Sequence, residues 1–398
     1  MGEWKEYLLS DLIYTNTSTV NKGYQFEKIL YLDTGSIICN KIEALQEFSI
    51  NDAPSRAKRL VDNDDIVYSS VRPNQLHYGF IKNPPQNLVV STGFVVIKCK
   101  KEILHPKFLY YFITQSSITE FLHSIAEGST STYPSLKPDD IHELDILLPP
   151  LPEQERIAEV LSSLDDKIDL LHRNNKTLEQ LAETLFRQWF VEEAEDSWEE
   201  IKLGGYVKLV SGYSYRSVDL NSSTKALVTL KNFDRTGGFR HDGFKEYTGK
   251  YKEDQVVVSG DLIVAHTDIT QEAEVLGNPA IVISTDKYET LIISTDLVKV
   301  VPTSYLSKVY LYFLMKTDEF KHYCLGSSNG TTVLHLSKKA LPEYDFKLPP
   351  AELVERFTVV AEPLLEKINI NQKHIQQLET LRDTLLPKLM SGVVRVEV

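Results

Sequence analysis

The sequence predicts an α+β protein: two tandem mixed α/β domains, each followed by a long helix, with the two helices paired as an antiparallel coiled coil. Three observations predict it. The chain repeats itself at an offset of 200 residues. Short β-branched runs between turn residues fill the first part of each repeat. A leucine-patterned run opened by a double proline fills the last part.

The bounds come first. A chain of 398 residues is long for one core and suggests at least two domains. Hydrophobic content of 42% with 25% charged residues reads as soluble and globular. No apolar run reaches the ~20 residues needed to span a bilayer. The opening "MGEWKEYLL" has no basic-then-apolar signal pattern. Three cysteines, Cys39, Cys99 and Cys324, lie far apart without metal-ligand spacing, which favours buried reduced thiols in a cytoplasm. A net charge of −13 argues against coating nucleic acid by bulk charge. The acid is uneven: residues 151–195 carry 5 basic and 11 acidic residues, whereas 1–150 carry 14 and 18. The larger segments can therefore still present basic faces.

The repeat needs no gaps over its best stretch. Leu148, Pro149 and Pro150 match Leu348, Pro349 and Pro350; Glu155 and Arg156 match Glu355 and Arg356; Lys167 and Ile168 match Lys367 and Ile368; Leu178, Glu179, Leu181, Thr184 and Leu185 match Leu378, Glu379, Leu381, Thr384 and Leu385. Upstream, "FLYYFI" (108–113) resembles "YLYFLM" (310–315), and Trp4 and Trp198 open the copies. So large a period implies a duplicated domain rather than a solenoid. The expected segments are 1–150, 151–195, 196–350 and 351–398.

Within the globular parts, "IVYSSV", "LVVSTGFVVIK", "LVTLKNF", "QVVVSGDLIVAH" and "ETLIISTDLVKVV" read as strands. "HPKFLYYFITQSSITEFLHSI" and "SKVYLYFLMKTDEFKHYCL" each read as one helix. In the first long helix, positions 157, 161, 164, 168, 171, 175, 178, 182, 185 and 189 form a heptad seam; in the second, 357, 361, 364, 368, 371, 375, 378, 382, 385 and 389 do. Each seam holds one asparagine, Asn175 and Asn371. Antiparallel pairing of Ile157 with Leu389 puts the two asparagines in one layer, where facing amides bond each other and fix register. The same register sets Arg382 opposite Leu164, a mismatch the seam does not explain.

This order resembles the specificity subunit of type I restriction-modification enzymes. "LPPLPEQERIAEVL" is similar to that family's best local signature, and the likeness covers essentially the whole chain. It implies two target recognition domains reading the two halves of a split site on double-stranded DNA. It implies helices that set the gap and dock two methyltransferase subunits, with S-adenosylmethionine held in those partners and none bound here, and a motor and nuclease subunit joining for restriction. It implies no catalysis, no membrane association and a cytoplasmic location. The second helix departs from the pattern, with Ala351 and Val354 where the first copy has Leu151 and Gln154. About 35 helical residues at ~1.5 Å each give a spacer of roughly 50 Å, on the order of 15 base pairs.

No catalytic, cofactor or metal residues emerge. "NPPQ" at 83–86 lacks the aromatic that stacks on a flipped base. "GSTST" (128–132) and "GSSNGTT" (326–332) contain no Gly-Lys-Ser/Thr. Asp64, Asp65, Asp139 and Asp140 read as solvated turn acids, and the histidines lack metal spacing. Candidate DNA-binding residues are instead Ser70, Arg72, Asn74, Gln75 and His77 after a strand of the first copy, His266, Thr267 and Gln271 at the equivalent point of the second, and Lys231, Asn232 and Arg235 nearby. Arginine takes guanine, and Asn or Gln takes adenine, by paired hydrogen bonds. Thr130, Asn329 and Thr331 in the Ser/Thr/Asn loops suit phosphate contacts. Two other readings remain: a methyltransferase-nuclease fusion, for which room and motifs are lacking, and a coiled-coil interaction scaffold that reads no DNA.

Overall fold

The computed structural model describes residues 3–21, 23–128, 135–235, 238–270, 273–283, 285, 287–330 and 333–397. The chain divides into two compact units, Met1–Leu170 with Ile375–Val398 and Leu171–His374. Each contains one globular part and portions of both long helices.

The two units share one topology. In the first, a sheet orders its strands Ile13–Thr15, Phe94–Cys99, Ile66–Ser69, Tyr78–Phe80. In the second, the order is Val207–Ser211, Leu297–Pro302, Leu262–Ala265, Pro279–Ile281. A further four-stranded sheet in each unit contains one parallel pair, Lys28–Leu32 with Leu88–Ser91 and Lys225–Val228 with Thr290–Ile293. A two-stranded ribbon ties the start of each globular part to its end: Lys5–Leu8 with Asp145–Leu148, and Glu200–Lys202 with Asp345–Lys347.

Strand Ile66–Ser69 is buried at every residue, so its sequence shows no polar alternation. The pleat still divides its side chains. Ile66 and Tyr68 join the cluster made by the helices, while Val67 joins a cluster with Val90, Phe94 and Val96 between the two sheets. Leu262 and Val264 against Ile263 and Ala265 repeat the division in the second unit.

Two kinds of expected element are broken. "LVVSTGFVVIK" and "ETLIISTDLVKVV" are not single strands: each turns at its Ser-Thr step and passes from one sheet to the other. Gly93 makes the first turn tight, since a Cβ there would sit 2.8 Å from Thr34 Cγ2. The expected single helices are pairs, Pro106–Ile113 with Ser116–Glu127 and Lys308–Met315 with Asp318–Gly326. Thr317 starts the last of these as an N-cap, its side chain accepting from Phe320 N. Of the cysteines, Cys324 is buried but Cys39 is exposed, correcting the expectation of three buried thiols.

The long helices run Leu151–Arg187 and Ala351–Met390. None of their predicted seam positions is exposed. Pro150 and Pro350 begin them alike. Pro150 O accepts from Glu153 N (2.9 Å) and Gln154 N (3.2 Å), and Pro350 O from Leu353 N (3.0 Å) and Val354 N (3.2 Å). Within the second unit the helices are antiparallel: Asn175 meets Asn371, and Phe186 meets Phe357. Asn371 Nδ2 donates to Asn175 Oδ1 at 2.7 Å, with both residues buried. Within the first unit Arg382 reaches past its apolar neighbour to Asp165 Oδ1 at 3.0 Å. Burial opposes the guanidinium's charge, but Asp165 and Asp383 outweigh it and hold its pKa above the ordinary value. The seam's one mismatch is thus an ion pair.

Gln154 is also explained. It is buried, its amide donating to Ile103 O and Pro149 O at 2.9 Å each and accepting from His105 N. Val354 is buried at the same point of the second unit, and Tyr305 OH donates to Pro349 O (2.8 Å) instead. The Gln154–Val354 difference between the two helix starts therefore lies in the core, whereas the other, Leu151 against Ala351, lies where Ala351 is exposed.

Candidate nucleic-acid interface

Each unit presents a loop between the same two strands of its helix-backed sheet. In the first it is residues 70–77, joining Ile66–Ser69 to Tyr78–Phe80; in the second it is 266–278, joining Leu262–Ala265 to Pro279–Ile281. A second segment lies against each. Leu136 N donates to Ser70 O at 2.7 Å, and Leu336 N donates to His266 O at 2.9 Å. The residues that follow the Ser/Thr/Asn loops in sequence, Leu136 and Leu336, thus join the strand-connecting loops by an equivalent backbone bond in both units. In the second, the contact widens into a small sheet of Thr267–Asp268, Leu334–Leu336 and Ser328–Asn329.

The structure sorts the candidate side chains. Arg72, Asn74 and Gln75 are exposed on the first loop. Arg72 adopts the left-handed region at φ 48°, as does Leu76 at φ 59°. Ser70 is a fastener: its N and Oγ both donate to Gly93 O at 2.8 Å. His77 Nδ1 donates to Ile37 O at 2.7 Å, and its Nε2 lies 3.2 Å from Gln75 Oε1. In the second unit Lys231, Arg235 and Asn329 are exposed. Arg235 pairs with Glu274 at 3.2 Å, an exposed contact worth about 0–1 kcal/mol that a phosphate can replace. His266 is half-buried, and burial with His335 and Lys338 lowers its pKa. Its imidazole is neutral at pH 7 and offers one donor and one acceptor.

Two candidates are corrected. Asn232 is fully buried, its Oδ1 accepting from Thr229 N and its Nδ2 donating to Arg240 O. It caps a turn, and its burial keeps the amide from reaching a base. Thr267 is buried, with Oγ1 bonded to Asp296 Oδ1 at 3.1 Å. Thr130, Gln271 and Thr331 lie outside the described residues.

At the opposite end of the strand that leads into each loop lies a buried acid with a lysine partner that the sequence reading missed. Asp65, taken as a solvated acid, is buried and pairs with Lys98 at 3.2 Å. Its counterpart Asp261 is buried and pairs with Lys299 (2.8 Å) and Lys308 (2.6 Å). Burial dominates at Asp65 and raises its pKa despite Lys98. Burial pushes Asp261 the same way, but two lysines overcome it and the pKa falls. The signal was available: each acid ends a turn before a strand, and Lys98 and Lys299 each fall inside an otherwise apolar strand, while Lys308 opens a helix. Among the described residues, no group of three or more His, Cys, Asp or Glu side chains is arranged to hold a metal ion. No helix there is long and apolar enough to cross a membrane.

Comparison with known proteins gives this architecture a class. Residues 1–180 match the family described as the type I restriction modification DNA specificity domain. A solved type I restriction-modification S subunit from M. genitalium shares the fold over 100% of this chain and 97% of its own, with a TM-score of 0.57 at 16% identity. Among curated relatives, the chain is similar to the type I restriction enzyme HindI specificity subunit of Haemophilus influenzae, at 26% identity over 99% of this chain and 100% of that one. It is also 26% identical to the MjaIX specificity subunit of Methanocaldococcus jannaschii, over 89% of this chain and 81% of that one. The domain match thus covers residues 1–180, while the likeness to curated specificity subunits extends over nearly the whole chain.

Proposed function

We propose that this chain selects the DNA site of a type I restriction-modification enzyme, each globular part reading one half of a split sequence on double-stranded DNA. The observation that carries this reading is the pair of equivalent loops, 70–77 and 266–278, each joined to a second segment by an equivalent backbone bond and each in a different unit. The first unit offers Arg72, Asn74 and Gln75 to base edges or phosphates; the second offers Lys231, Arg235, His266 and Asn329. The long helices dock two methyltransferase subunits, which hold S-adenosylmethionine, and a motor and nuclease subunit completes the assembly. Exposed apolar side chains support docking: Val160 in the first unit, Leu181, Val359 and Val360 in the second. The chain itself contributes no catalytic group, and its work is intracellular.

The test is adenine-methylation mapping in cells expressing a partner methyltransferase subunit with and without this chain. A new split motif that requires the chain is the expected result. A soluble complex that leaves no new motif overturns the DNA-reading assignment.

A further inference from the structure

Loop 70–77 holds Arg72 and Leu76 in left-handed backbone that non-glycine residues adopt only where their surroundings impose it. Those surroundings are a hairpin, Ile37–Ile38 with Lys41–Ile42, turned through Cys39 (φ 46°) and Asn40 (φ 66°). Four bonds fasten it, two to the loop and two to the strand Tyr78–Phe80 that leaves it. Cys39 N donates to Leu76 O at 2.9 Å, and Asn40 N to Tyr78 O at 2.9 Å. Phe80 N donates to Asn40 Oδ1 at 2.7 Å, and His77 Nδ1 to Ile37 O at 2.7 Å. Asn40 thus holds the strand that leaves the loop from both its backbone and its side chain. Gly79 leaves it room, since a Cβ there would approach Asn40 Oδ1 to 3.2 Å.

The second unit braces its loop from within. Asp268 is 1% exposed and accepts from Thr270 N (2.8 Å), Thr270 Oγ1 (2.8 Å), Val275 N (2.7 Å) and Leu276 N (3.2 Å). Those amides lie on both sides of the loop, so one carboxylate gathers it. Lys321 Nζ closes the far end, donating to Glu274 O (3.0 Å), Leu276 O (2.7 Å) and Asn278 Oδ1 (2.7 Å).

We infer that Asn40 and Asp268 are positioning residues, each fixing the reading loop of its own unit and therefore one half of the target sequence; this rests on the two-reader function proposed above. Asp268 is buried away from any base, and the Asn40 side-chain oxygen is engaged by Phe80 N. Each fixes backbone from which the reading groups project, and a hydrogen-bonded reader discriminates bases only if its donors and acceptors are held in register. The braces are unrelated in chemistry and separate in the chain, so their effects are independent.

The experiment maps methylated motifs in cells expressing the partner methyltransferase subunit with variants of the full chain, alongside thermal melts of the purified proteins. Asn40→Ala relaxes one half of the motif, with about a tenfold loss of discrimination at its affected bases, and leaves the other half intact. Asn40→Asp keeps the acceptor for Phe80 N and keeps the motif. Asp268→Asn relaxes only the other half. Thr270→Ala, which removes one of the four bonds, relaxes that same half more weakly and carries this arm if Asp268→Asn does not fold. Reduced methylation with both half-sites unchanged overturns the inference, because a merely structural role predicts that pattern. Relaxation of both halves by one variant overturns it as well. A wild-type chain that yields no split motif defeats the two-reader function itself.

Discussion

The two units keep the same strand order and the same helix-starting bonds, yet fasten them with different side chains. At the start of the long helices, the first unit uses a buried glutamine, Gln154, where the second uses Val354 and the distant Tyr305. At the strand ends away from the loops, Asp65 is paired with Lys98, and Asp261 with Lys299 and Lys308. Where the helices meet the globular part, Tyr111 OH and Arg382 share Asp165 in the first unit, while Tyr312 OH and Lys316 share Glu179 in the second. Backbone bonds survive the divergence because every conformer of the fold must satisfy them. Side chains diverge because several arrangements satisfy the same buried carbonyl or carboxylate. The loops therefore differ in sequence, length and bracing while occupying one topological place.

Changes that treat the units unequally test this comparison. The largest effect is expected at Phe357, fully buried among Phe186, Trp189, Phe190 and Phe313. Phe357→Ala costs about 3–5 kcal/mol, and hydrogen exchange should rise in the second unit first. Ile157, at the equivalent position, sits in the first unit's core; Ile157→Ala should loosen that unit instead. Uniform exchange in both cases would mean that the units are not separate cores.

Next comes the asparagine layer. Asn175→Leu strands the buried Asn371 amide at a cost of about 1–3 kcal/mol. The double change to leucine should recover that loss and more, because a seam asparagine fixes register at the expense of stability. A double variant no better than the single one would show that the pair is not a register device. Thermal unfolding with double-mutant analysis measures both.

A smaller effect is expected from Tyr305→Phe, about 0.5–1.5 kcal/mol for the bond to Pro349 O. Gln154→Ala should cost more, since it abandons three backbone partners rather than one. The reverse order, read from denaturant midpoints, would break the parallel between the two helix starts.

The smallest effect is pH dependence, opposite in sign for the two acids. Asp261 has a lowered pKa when folded, so its contribution is present above the unfolded carboxylate value of ~3.9 and is lost as pH falls through the folded value. Asp65 has a raised pKa when folded. Its contribution is present below the unfolded value and is lost as pH rises through the folded one. Acidification below about pH 4 should therefore weaken the second unit relative to the first. Exchange rates followed through that range check the sign, and Asp261→Asn should abolish the second unit's share.

Much of this was legible in the sequence. The offset of 200 residues exposed the duplication because the helix start and seam are dictated by backbone bonding and heptad burial, which leave local signatures. The asparagine layer followed from register arithmetic. The broken strands were not legible, since two apolar strands separated by a two-residue turn look like one, and only tertiary pairing places Leu88–Ser91 and Phe94–Cys99 in different sheets. For the site, residue type alone could not separate exposed Arg72 from buried Asn232. Asn in a polar loop caps a turn as readily as it reads a base, and burial decides which. The hairpin at 37–42 did leave a signal, an asparagine between isoleucine-rich arms in "IICNKI", without anything to say which loop it supports.

The most direct test of two independent readers is an exchange of residues 198–345 for the matching segment of a known specificity subunit, followed by methylation mapping. The account predicts a hybrid motif in which one half changes and the other is kept. A motif altered in both halves, or one that never divides, would contradict it.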